Sequence, residues 1–195
     1  MFSLFSQLSR VFEPKNYNVV LLGCSGAGKT LICDHVKRAL RGTPSNAPLN
    51  RTIPSYGLNL HLFPHPTNTK VRLRLWDLPG ENSFSSTWSS YAKKAHGLCF
   101  VVSFDTINNE DCLSILSSIF SNLSKCPILI VLTSFNDVDD DFFLNFSTIC
   151  LSKDLLNHNA PVSCNRVNLT TGKGVKEILS WFFEHFSLGV RDVEE

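Results

Sequence analysis

The amino-acid sequence predicts one α/β domain in which helices cover both faces of a mostly parallel, six-stranded sheet. Strand-like apolar runs alternate with helical patterns along the chain, which is typical of this class. Two of the runs are almost wholly apolar, as expected of parallel strands buried on both faces. The length of 195 residues, of which 43% are apolar, suits a single domain with its own core.

The first half of the chain predicts one strand, one helix and a hairpin. The apolar run Tyr17–Gly23 ends in glycine and is typical of a buried strand. A helical pattern follows over Lys29–Arg41 and gives way to a loop rich in Gly, Pro and Asn. Leu58–Phe63 and Val71–Asp77 predict two strands, and the turn-rich residues 64–68 between them favour antiparallel pairing.

The second half predicts three strands separated by helices. Gly97–Phe104 and Pro127–Thr133 are the two almost wholly apolar runs, and Asn109–Leu123 between them has apolar residues on one side of a helix. A weaker strand over Val162–Leu169 and a helix over Val175–Phe186 follow. This order implies parallel strands joined by right-handed crossovers.

Charge and cysteine content exclude several classes of protein. The 18 Lys and Arg residues nearly balance the 17 Asp and Glu residues, so no nucleic-acid partner is expected. The seven cysteines form no C-x-x-C pair, so neither a disulfide framework nor a zinc site is expected, and a reducing compartment fits. Without a bilayer-length apolar run or a signal peptide, a cytoplasmic location is predicted.

Residues 23–30, GCSGAGKT, match the phosphate-binding pattern G-x-x-x-x-G-K-[ST] between a predicted strand and a predicted helix. The glycines let backbone N–H groups point at phosphate oxygens, and the helix N-terminus adds partial positive charge. Lys29 is expected to contact the β- and γ-phosphates and Thr30 to bind Mg²⁺. A glycine-rich turn that binds nothing is the alternative, which the context disfavours. The predicted nucleotide-binding residues here are Gly23, Cys24, Ser25, Gly26, Ala27, Gly28, Lys29, Thr30 and Leu31.

A carboxylate for the metal ion is expected at the end of a neighbouring strand. Asp77 ends the strand Val71–Asp77, and Gly80 follows three residues later. Asp77 is therefore predicted to hold Mg²⁺, through water, and the Gly80 N–H to contact the γ-phosphate. An aspartate that only caps a turn is the alternative. Together with the loop at residues 23–30, these residues predict a P-loop NTPase fold.

With these motifs present, the sequence resembles the ADP-ribosylation factor (Arf) family of the Ras superfamily of small GTPases. The resemblance covers nearly the whole chain and rests, beyond the P-loop, on Thr52–Leu60, Trp76–Glu81, Trp88–Tyr91, Leu169–Glu177 and Trp181. It implies a small-GTPase fold, GTP or GDP with Mg²⁺ as ligands, and exchange factors, GTPase-activating proteins and effectors as partners. The segments that resemble the Arf-related-protein branch are Gly57–Asn59, His96–Gly97 and Thr171–Val175.

The resemblance also implies roles for individual residues. Ser55 takes the position of the family's Mg²⁺-binding threonine and keeps its hydroxyl. Leu58, Trp76 and Tyr91 match the apolar triad that contacts effectors, and packing in the core is the alternative for each. Glu81 takes the catalytic position, together with Lys29.

The segment that recognises the base in this family is eroded here. In the favoured register its residues are Ser134, Phe135 and Asp137, where Asp137 accepts two guanine N–H bonds. The alternative register, Asn136–Asp139, places Asp137 where the family has lysine, and a simple helix start is the third interpretation. On the last loop, Asn168, Leu169 and Thr170 are expected near the base, with the Leu169 N–H donating to guanine O6.

Two further departures concern catalysis. Glu81 replaces the family's glutamine, which orients the attacking water; a carboxylate only accepts hydrogen bonds and is repelled by the γ-phosphate. Pro79 replaces a glycine, and proline fixes φ and lacks an N–H, so this hinge should be stiffer. Slow intrinsic hydrolysis is expected.

The first residues predict an amphipathic helix. Apolar side chains of Met1–Phe12 share one face, and Pro14 ends the pattern. In Arf-like proteins such a helix binds a membrane when GTP is bound; a helix docked permanently in the core is the alternative. Phe2 replaces the glycine needed for myristoylation, so weak, receptor-aided binding is expected. The expected organisation is an N-terminal helix over residues 1–14 and a GTPase domain over residues 15–195.

These observations predict an Arf-like GTP/GDP switch in vesicle-mediated Golgi traffic, with slow, partner-dependent GTP hydrolysis. It would be cytoplasmic and peripheral on the Golgi or other endomembranes when GTP is bound. A catalytically impaired pseudo-GTPase that serves as an interaction scaffold is the alternative. A kinase-like P-loop enzyme is disfavoured because no lid-like arginine cluster or acceptor site is evident.

Overall fold

A mixed six-stranded sheet forms the centre of the part of the chain that the structure describes, which comprises residues 14–42, 57–80, 85–106, 126–152 and 160–188 of a computed structural model. The strands are β1 (Lys15–Leu22), β2 (Asn59–Pro64), β3 (Val71–Asp77), β4 (Gly97–Ser103), β5 (Ile128–Ser134) and β6 (Val162–Asn168). The helices are α1 (Lys29–Arg41), α2 (Ser85–Ala92), α3 (Asp140–Cys150) and α4 (Val175–Leu188), and a 3₁₀ turn covers Phe104–Thr106.

The sheet order β2-β3-β1-β4-β5-β6 places the loops that carry the site at one edge. β2 is antiparallel to β3, and the other neighbouring pairs are parallel. The carboxyl ends of β1, β3, β4, β5 and β6 therefore meet at one edge, where ligands bind in open α/β sheets. Register pairs Leu21 with Asp77 and Ser134 with Asn168 at this edge.

Two apolar clusters, one on each face of the sheet, form the core. Alternate residues of the strands supply both clusters, because successive side chains of a strand point to opposite faces. One cluster contains Ile32 of α1 and Phe182 of α4, and the other contains Trp88 of α2 and Phe146 of α3. The two almost wholly apolar strands, β4 and β5, are buried along their full length, as expected of strands covered on both sides.

Glycine and aspartate set the ends of two helices next to the site. α1 follows Gly28, whose φ of 86° is left-handed, and it ends at Gly42, whose N–H donates to the Ala39 carbonyl. α3 begins after Asp139, whose carboxylate accepts the N–H groups of Asp141 and Phe142 at 3.1 and 3.2 Å. Asp139 is therefore a helix N-cap.

The predicted fold class is confirmed, and the strand boundaries differ from the predicted ones by at most two residues. The helices at Lys29–Arg41 and near Val175–Phe186 are present, the latter extended to Leu188. The predicted helices at Met1–Phe12 and Asn109–Leu123 lie outside the described residues. Within the described ranges, none of the helices is both long and apolar enough to cross a bilayer.

Candidate functional site

The loop between β1 and α1 contains three glycines with positive φ, and two of them also lack the space for a Cβ atom. Gly23 has φ 142°, and a Cβ atom there would overlap the carbonyl oxygen of Val101 on β4. Gly28 has φ 86°, and its Cβ would lie 2.7 Å from Cδ1 of Leu169. The two glycines thus let the phosphate-binding loop pack against β4 and against the loop after β6.

Lys29 lies within this loop rather than in solvent. Its side chain is 7% exposed, and Nζ donates to the carbonyl oxygens of Gly23 at 2.8 Å and Cys24 at 3.0 Å. Burial lowers the pKa of Lys29, while the charge of Asp77 opposes the shift. A buried ammonium group held by neutral carbonyls is well placed to exchange them for the charged oxygens of a polyphosphate.

Thr30 and Asp77 bring a hydroxyl and a carboxylate together beside Lys29. The Thr30 Oγ1 donates to Asp77 Oδ2 at 2.8 Å, and Asp77 is only 1% exposed. Burial raises the pKa of Asp77; the hydrogen bond from Thr30 and the charge of Lys29 oppose this, with smaller contributions from His61 and Asn59. Oδ1 of Asp77 is buried without a hydrogen-bond partner. Oxygen ligands with an unsatisfied buried carboxylate atom fit the coordination chemistry of Mg²⁺.

Gly80 lies directly against the phosphate-binding loop. A Cβ atom on Gly80 would lie 2.5 Å from Nζ of Lys29 and 2.6 Å from the backbone nitrogen of Ser25. The preceding residue, Pro79, accepts a hydrogen bond of 3.1 Å from Nε1 of Trp88, whose side chain is 2% exposed. The buried indole of Trp88 therefore holds residues 79–80 close to Lys29.

The loop after β5 and the loop after β6 are joined by three hydrogen bonds. The Leu169 N–H donates to the Ser134 carbonyl at 2.7 Å, and the Thr170 hydroxyl donates to the Phe135 carbonyl at 2.6 Å. The third bond runs from Nδ2 of Asn168 to Oδ1 of Asp137 at 2.9 Å. These loops flank the phosphate-binding loop at the same edge of the sheet. The arrangement places the loop at residues 23–30 beside a polar segment formed by the two paired loops.

The family model of the ADP-ribosylation factors, described as "ADP-ribosylation factor family", matches residues 2–186 of this chain. The chain belongs to the Arf family. This match confirms the family that the sequence predicted. Members of the family are small GTPases.

Individual Arf-family proteins are similar to this chain over nearly their whole length. ADP-ribosylation factor-related protein 1 of Bos taurus is 30% identical over 193 residues, covering 93% of this chain and 90% of that protein. ADP-ribosylation factor-like protein 3 of Saccharomyces cerevisiae is 28% identical over 191 residues, covering 93% and 91%. The Arl6 BBS3 small GTPase of Trypanosoma brucei, solved with the nucleotide analogue GppNp, has a TM-score of 0.66 at 19% identity over 89% of this chain and 98% of that one.

In this Arf-family chain the structure brings together most of the predicted phosphate and metal residues. Lys29, Thr30, Asp77 and Gly80 lie side by side at the end of the sheet. Family membership assigns no role to individual residues, so their roles stay predictions. Of the other predicted residues, Ser55 and Glu81 lie outside the described residues.

The polar groups predicted to recognise the base form hydrogen bonds within the chain. In the alternative register, Asn136–Asp139, the last residue is Asp139, whose carboxylate caps α3 by accepting two of its backbone N–H groups. Asp137 of the favoured register accepts from Asn168, and the Leu169 N–H, expected to meet guanine O6, donates to Ser134 instead. Both groups have internal partners because the loops pair with each other. The Leu169 N–H would have to leave Ser134 to meet a base, whereas the Asp137 carboxylate has a second oxygen and can accept further hydrogen bonds.

The predicted effector triad is partly exposed. Leu58 is 43% exposed. Trp76 and Tyr91 are half-buried, with ring centroids 5.6 Å apart and ring planes at 87°, and they pack against the cluster that contains Trp88. The two aromatic residues therefore pack onto the core while one part of each stays accessible.

Three side chains at the site were not predicted from the sequence. Thr133 is fully buried, and its Oγ1 lies 2.8 Å from the Ala27 carbonyl and 3.2 Å from the Val102 carbonyl. The imidazole of His35 lies 2.7 Å from the Leu169 carbonyl, and the Trp88 indole donates to the Pro79 carbonyl. The polar pair Thr133 and Ser134 at the end of the otherwise apolar β5 was the sequence signal that could have identified Thr133.

We expect Thr133→Val to loosen the phosphate-binding loop. Valine has nearly the same shape but no donor, so the buried carbonyl of Ala27 loses its hydrogen bond at a cost of about 1–3 kcal/mol. Urea unfolding should show this loss. Thr148→Val is the matched control, because the Thr148 hydroxyl bonds only within its own helix at an exposed position, and it should change stability by less than about 0.5 kcal/mol. Equal effects of the two substitutions would contradict this role for Thr133.

Proposed function

We propose that this Arf-family chain is a GTP/GDP switch that binds its nucleotide at residues 23–31. The observation that carries the proposal is the convergence of the buried Lys29 ammonium with the hydrogen-bonded pair of Thr30 and Asp77 at one edge of the sheet. A buried cation beside oxygen ligands suits a polyphosphate with its metal ion. Nucleotide extracted from the purified chain should be guanine nucleotide; extraction of ATP alone would contradict the proposal.

Thr30, Ser55 and Asp77 are the residues that would hold Mg²⁺. When bound, the ion neutralises charge on the β- and γ-phosphates. The Thr30 hydroxyl donates its proton to Asp77 and keeps its oxygen lone pairs, so it could bind Mg²⁺ without losing this hydrogen bond. Ser55 keeps the hydroxyl that this position needs.

The contacts of Gly80 provide a route from the phosphate site to the surface. Gly80 lies against Lys29, and the carbonyl of the adjacent Pro79 is held by Trp88. Trp88 and Tyr91 lie on the same helix, α2, and the ring of Tyr91 contacts Trp76. A shift of Gly80 toward a γ-phosphate would therefore move α2 and change the surface that effectors contact, the kind of ordering by γ-phosphate that P-loop switches use.

Hydrolysis is proposed to be slow and to depend on a GTPase-activating protein. Glu81 cannot donate a hydrogen bond to water as glutamine does, and Pro79 stiffens the segment. The pseudo-GTPase scaffold is the second candidate. The hydrogen bond from the Leu169 N–H to the Ser134 carbonyl favours it, because it occupies a donor expected to recognise guanine.

We expect Glu81→Gln to accelerate intrinsic single-turnover hydrolysis of preloaded GTP on the order of tenfold or more. The amide both donates to and accepts from water, and it removes a charge that repels the γ-phosphate. The control is Glu177→Gln on the exposed side of α4, which should leave the rate unchanged. An unchanged rate in Glu81→Gln would favour the scaffold over the hydrolytic switch.

Membrane association is proposed to depend on the amphipathic segment Met1–Phe12, within an N-terminal unit over residues 1–14 that precedes the GTPase domain over residues 15–195. Its apolar face and the lack of a glycine at position 2 favour weak, peripheral binding to the Golgi or another endomembrane. Vesicle co-sedimentation with a GTP analogue, compared between the full chain and a chain lacking residues 1–14, tests this. Equal sedimentation of the two would contradict it.

A further inference from the structure

Three metal-binding side chains from three separate elements meet behind the phosphate-binding loop. They are Cys33 on α1, His61 on β2 and Asp77 at the end of β3. The thiol sulfur, an imidazole nitrogen and a carboxylate oxygen all lie within 4.8 Å of one another. Cys33 is fully buried, Asp77 is 1% exposed and His61 is half-buried.

The alternation of β2 explains why His61 points toward Cys33. Leu60 and Leu62 are 53% and 45% exposed, so the face of β2 that carries them is directed to the surface. His61 and Phe63 lie on the opposite face. Phe63 belongs to the same apolar cluster as Cys33, which places that face of the hairpin against α1.

Two polar atoms of this group have no hydrogen-bond partner. Nε2 of His61 and Oδ1 of Asp77 are both buried and unpaired among the described residues. Buried polar atoms are normally paired, because desolvation without a partner costs free energy. A cation held between the imidazole and the carboxylate would satisfy both atoms at once.

We propose that Cys33, His61 and Asp77 bind one zinc ion, with a fourth position left for water. Zinc–ligand distances of about 2.0–2.3 Å in tetrahedral geometry require ligand atoms roughly 3.3–3.6 Å apart, so side-chain shifts on the order of 1 Å close the site. Thiolate and imidazole ligands favour zinc over Mg²⁺. Binding releases the proton of the Cys33 thiol to solvent, and the thiolate forms the bond to zinc.

The zinc site does not rest on the proposed nucleotide switch. It shares Asp77 with the Mg²⁺ site, and both ions would draw on Oδ1, because Oδ2 accepts the Thr30 hydroxyl. The zinc site differs in its other ligands, a thiolate and an imidazole, which favour zinc over Mg²⁺. Bound zinc would join α1 to the β2–β3 hairpin. No zinc site was predicted from the sequence because it contains no C-x-x-C pair. The three proposed ligands are far apart in the chain and come together only in the folded structure.

The experiment titrates the full purified chain with Co²⁺ and then displaces Co²⁺ with Zn²⁺, in excess Mg²⁺. The expected result is one equivalent of Co²⁺ with a thiolate-to-metal charge-transfer band and the visible bands of a tetrahedral ion, all removed by Zn²⁺. Cys33→Ala and His61→Gln should each weaken Zn²⁺ binding at least about 100-fold. This exceeds the loss of about 10–100-fold that follows when a residue hydrogen-bonded to a ligand, rather than the ligand itself, is replaced. The matched controls, Cys99→Ala and His185→Gln, should bind Zn²⁺ as the natural chain does.

Several outcomes would overturn the proposal. They are a natural chain that shows no charge-transfer band, a Cys33→Ala chain that keeps its zinc affinity, and a Cys99→Ala chain that loses as much. His61 is half-buried on the edge strand, so His61→Gln tests the site even where Cys33→Ala fails to fold. Guanine nucleotide binding is measured on the same samples, so failure of the switch proposal is recorded separately from failure of the zinc proposal.

Discussion

The Lys29→Met chain should lose nucleotide binding while it keeps its fold. Lys29 supplies the buried positive charge of the phosphate-binding loop, and methionine has a similar length without that charge. We expect the affinity for GDP in the presence of Mg²⁺ to fall at least about 100-fold, equivalent to roughly 2.8 kcal/mol. Isothermal titration calorimetry of both chains measures the difference.

The melting temperature of the Lys29→Met chain shows whether it loses nucleotide binding because a contact is removed or because the chain unfolds. Burial lowers the pKa of Lys29, which means that the charged form is disfavoured in the folded chain. Methionine relieves this penalty but leaves the Gly23 and Cys24 carbonyls without the Lys29 donor, so the two effects oppose each other and the chain without nucleotide should melt within about 5 °C of the natural chain. Lys37→Met is the control, because Lys37 lies on the same helix but pairs with Asp34 at the surface. Near-normal nucleotide affinity of Lys29→Met would contradict the assignment of the phosphate site.

The Asp77→Asn chain should be more stable without nucleotide and less able to use Mg²⁺. Burial raises the pKa of Asp77, so its charge destabilises the folded chain at neutral pH. Asparagine keeps an acceptor for the Thr30 hydroxyl and removes the charge. We expect the free energy of unfolding to rise by about 0.5–2 kcal/mol. Gains of this size are typical of substitutions that remove an unfavourable interaction at a functional site and reduce activity. The stimulation of nucleotide binding by Mg²⁺ should fall about 10- to 100-fold.

The pH dependence of this gain follows from the direction of the shift. Between the ordinary pKa of an aspartate, 3.8, and the raised pKa of Asp77, the folded chain holds a proton that the unfolded chain has lost, so stability falls as pH rises. Above the raised pKa the penalty is fully present, and below 3.8 it disappears. Thermal unfolding in EDTA at pH 7 and near pH 3 should show the advantage of Asp77→Asn only at pH 7. Asp105→Asn, at an exposed position, is the control, and a pH-independent advantage would contradict burial of the carboxylate charge as its cause.

The sequence predicted the parts of the site that depend on local pattern. The glycines of residues 23–28 and the helix that starts at Lys29 are encoded by neighbouring residues, and Asp77 follows from the end of an alternating strand. The hairpin of β2 and β3 was predicted because its turn-rich connection is short. These features needed no knowledge of distant contacts.

The sequence could not predict contacts that join distant elements. Thr133 meets Ala27, and His35 meets the Leu169 carbonyl, only because the fold brings distant segments together. The partner of the Leu169 N–H depends on how two loops pair, which no spacing pattern specifies. Such tertiary hydrogen bonds are set by register and packing rather than by local sequence.

Equilibrium binding of GDP, GTP and ATP to the full chain, in the presence of Mg²⁺, tests the proposed guanine-nucleotide switch most directly. We expect both guanine nucleotides to bind, and ATP to bind roughly 10- to 100-fold more weakly, because Asp137 can pair with guanine N–H groups that adenine lacks. Equal affinity for ATP, or no binding of any of the three, would contradict the switch.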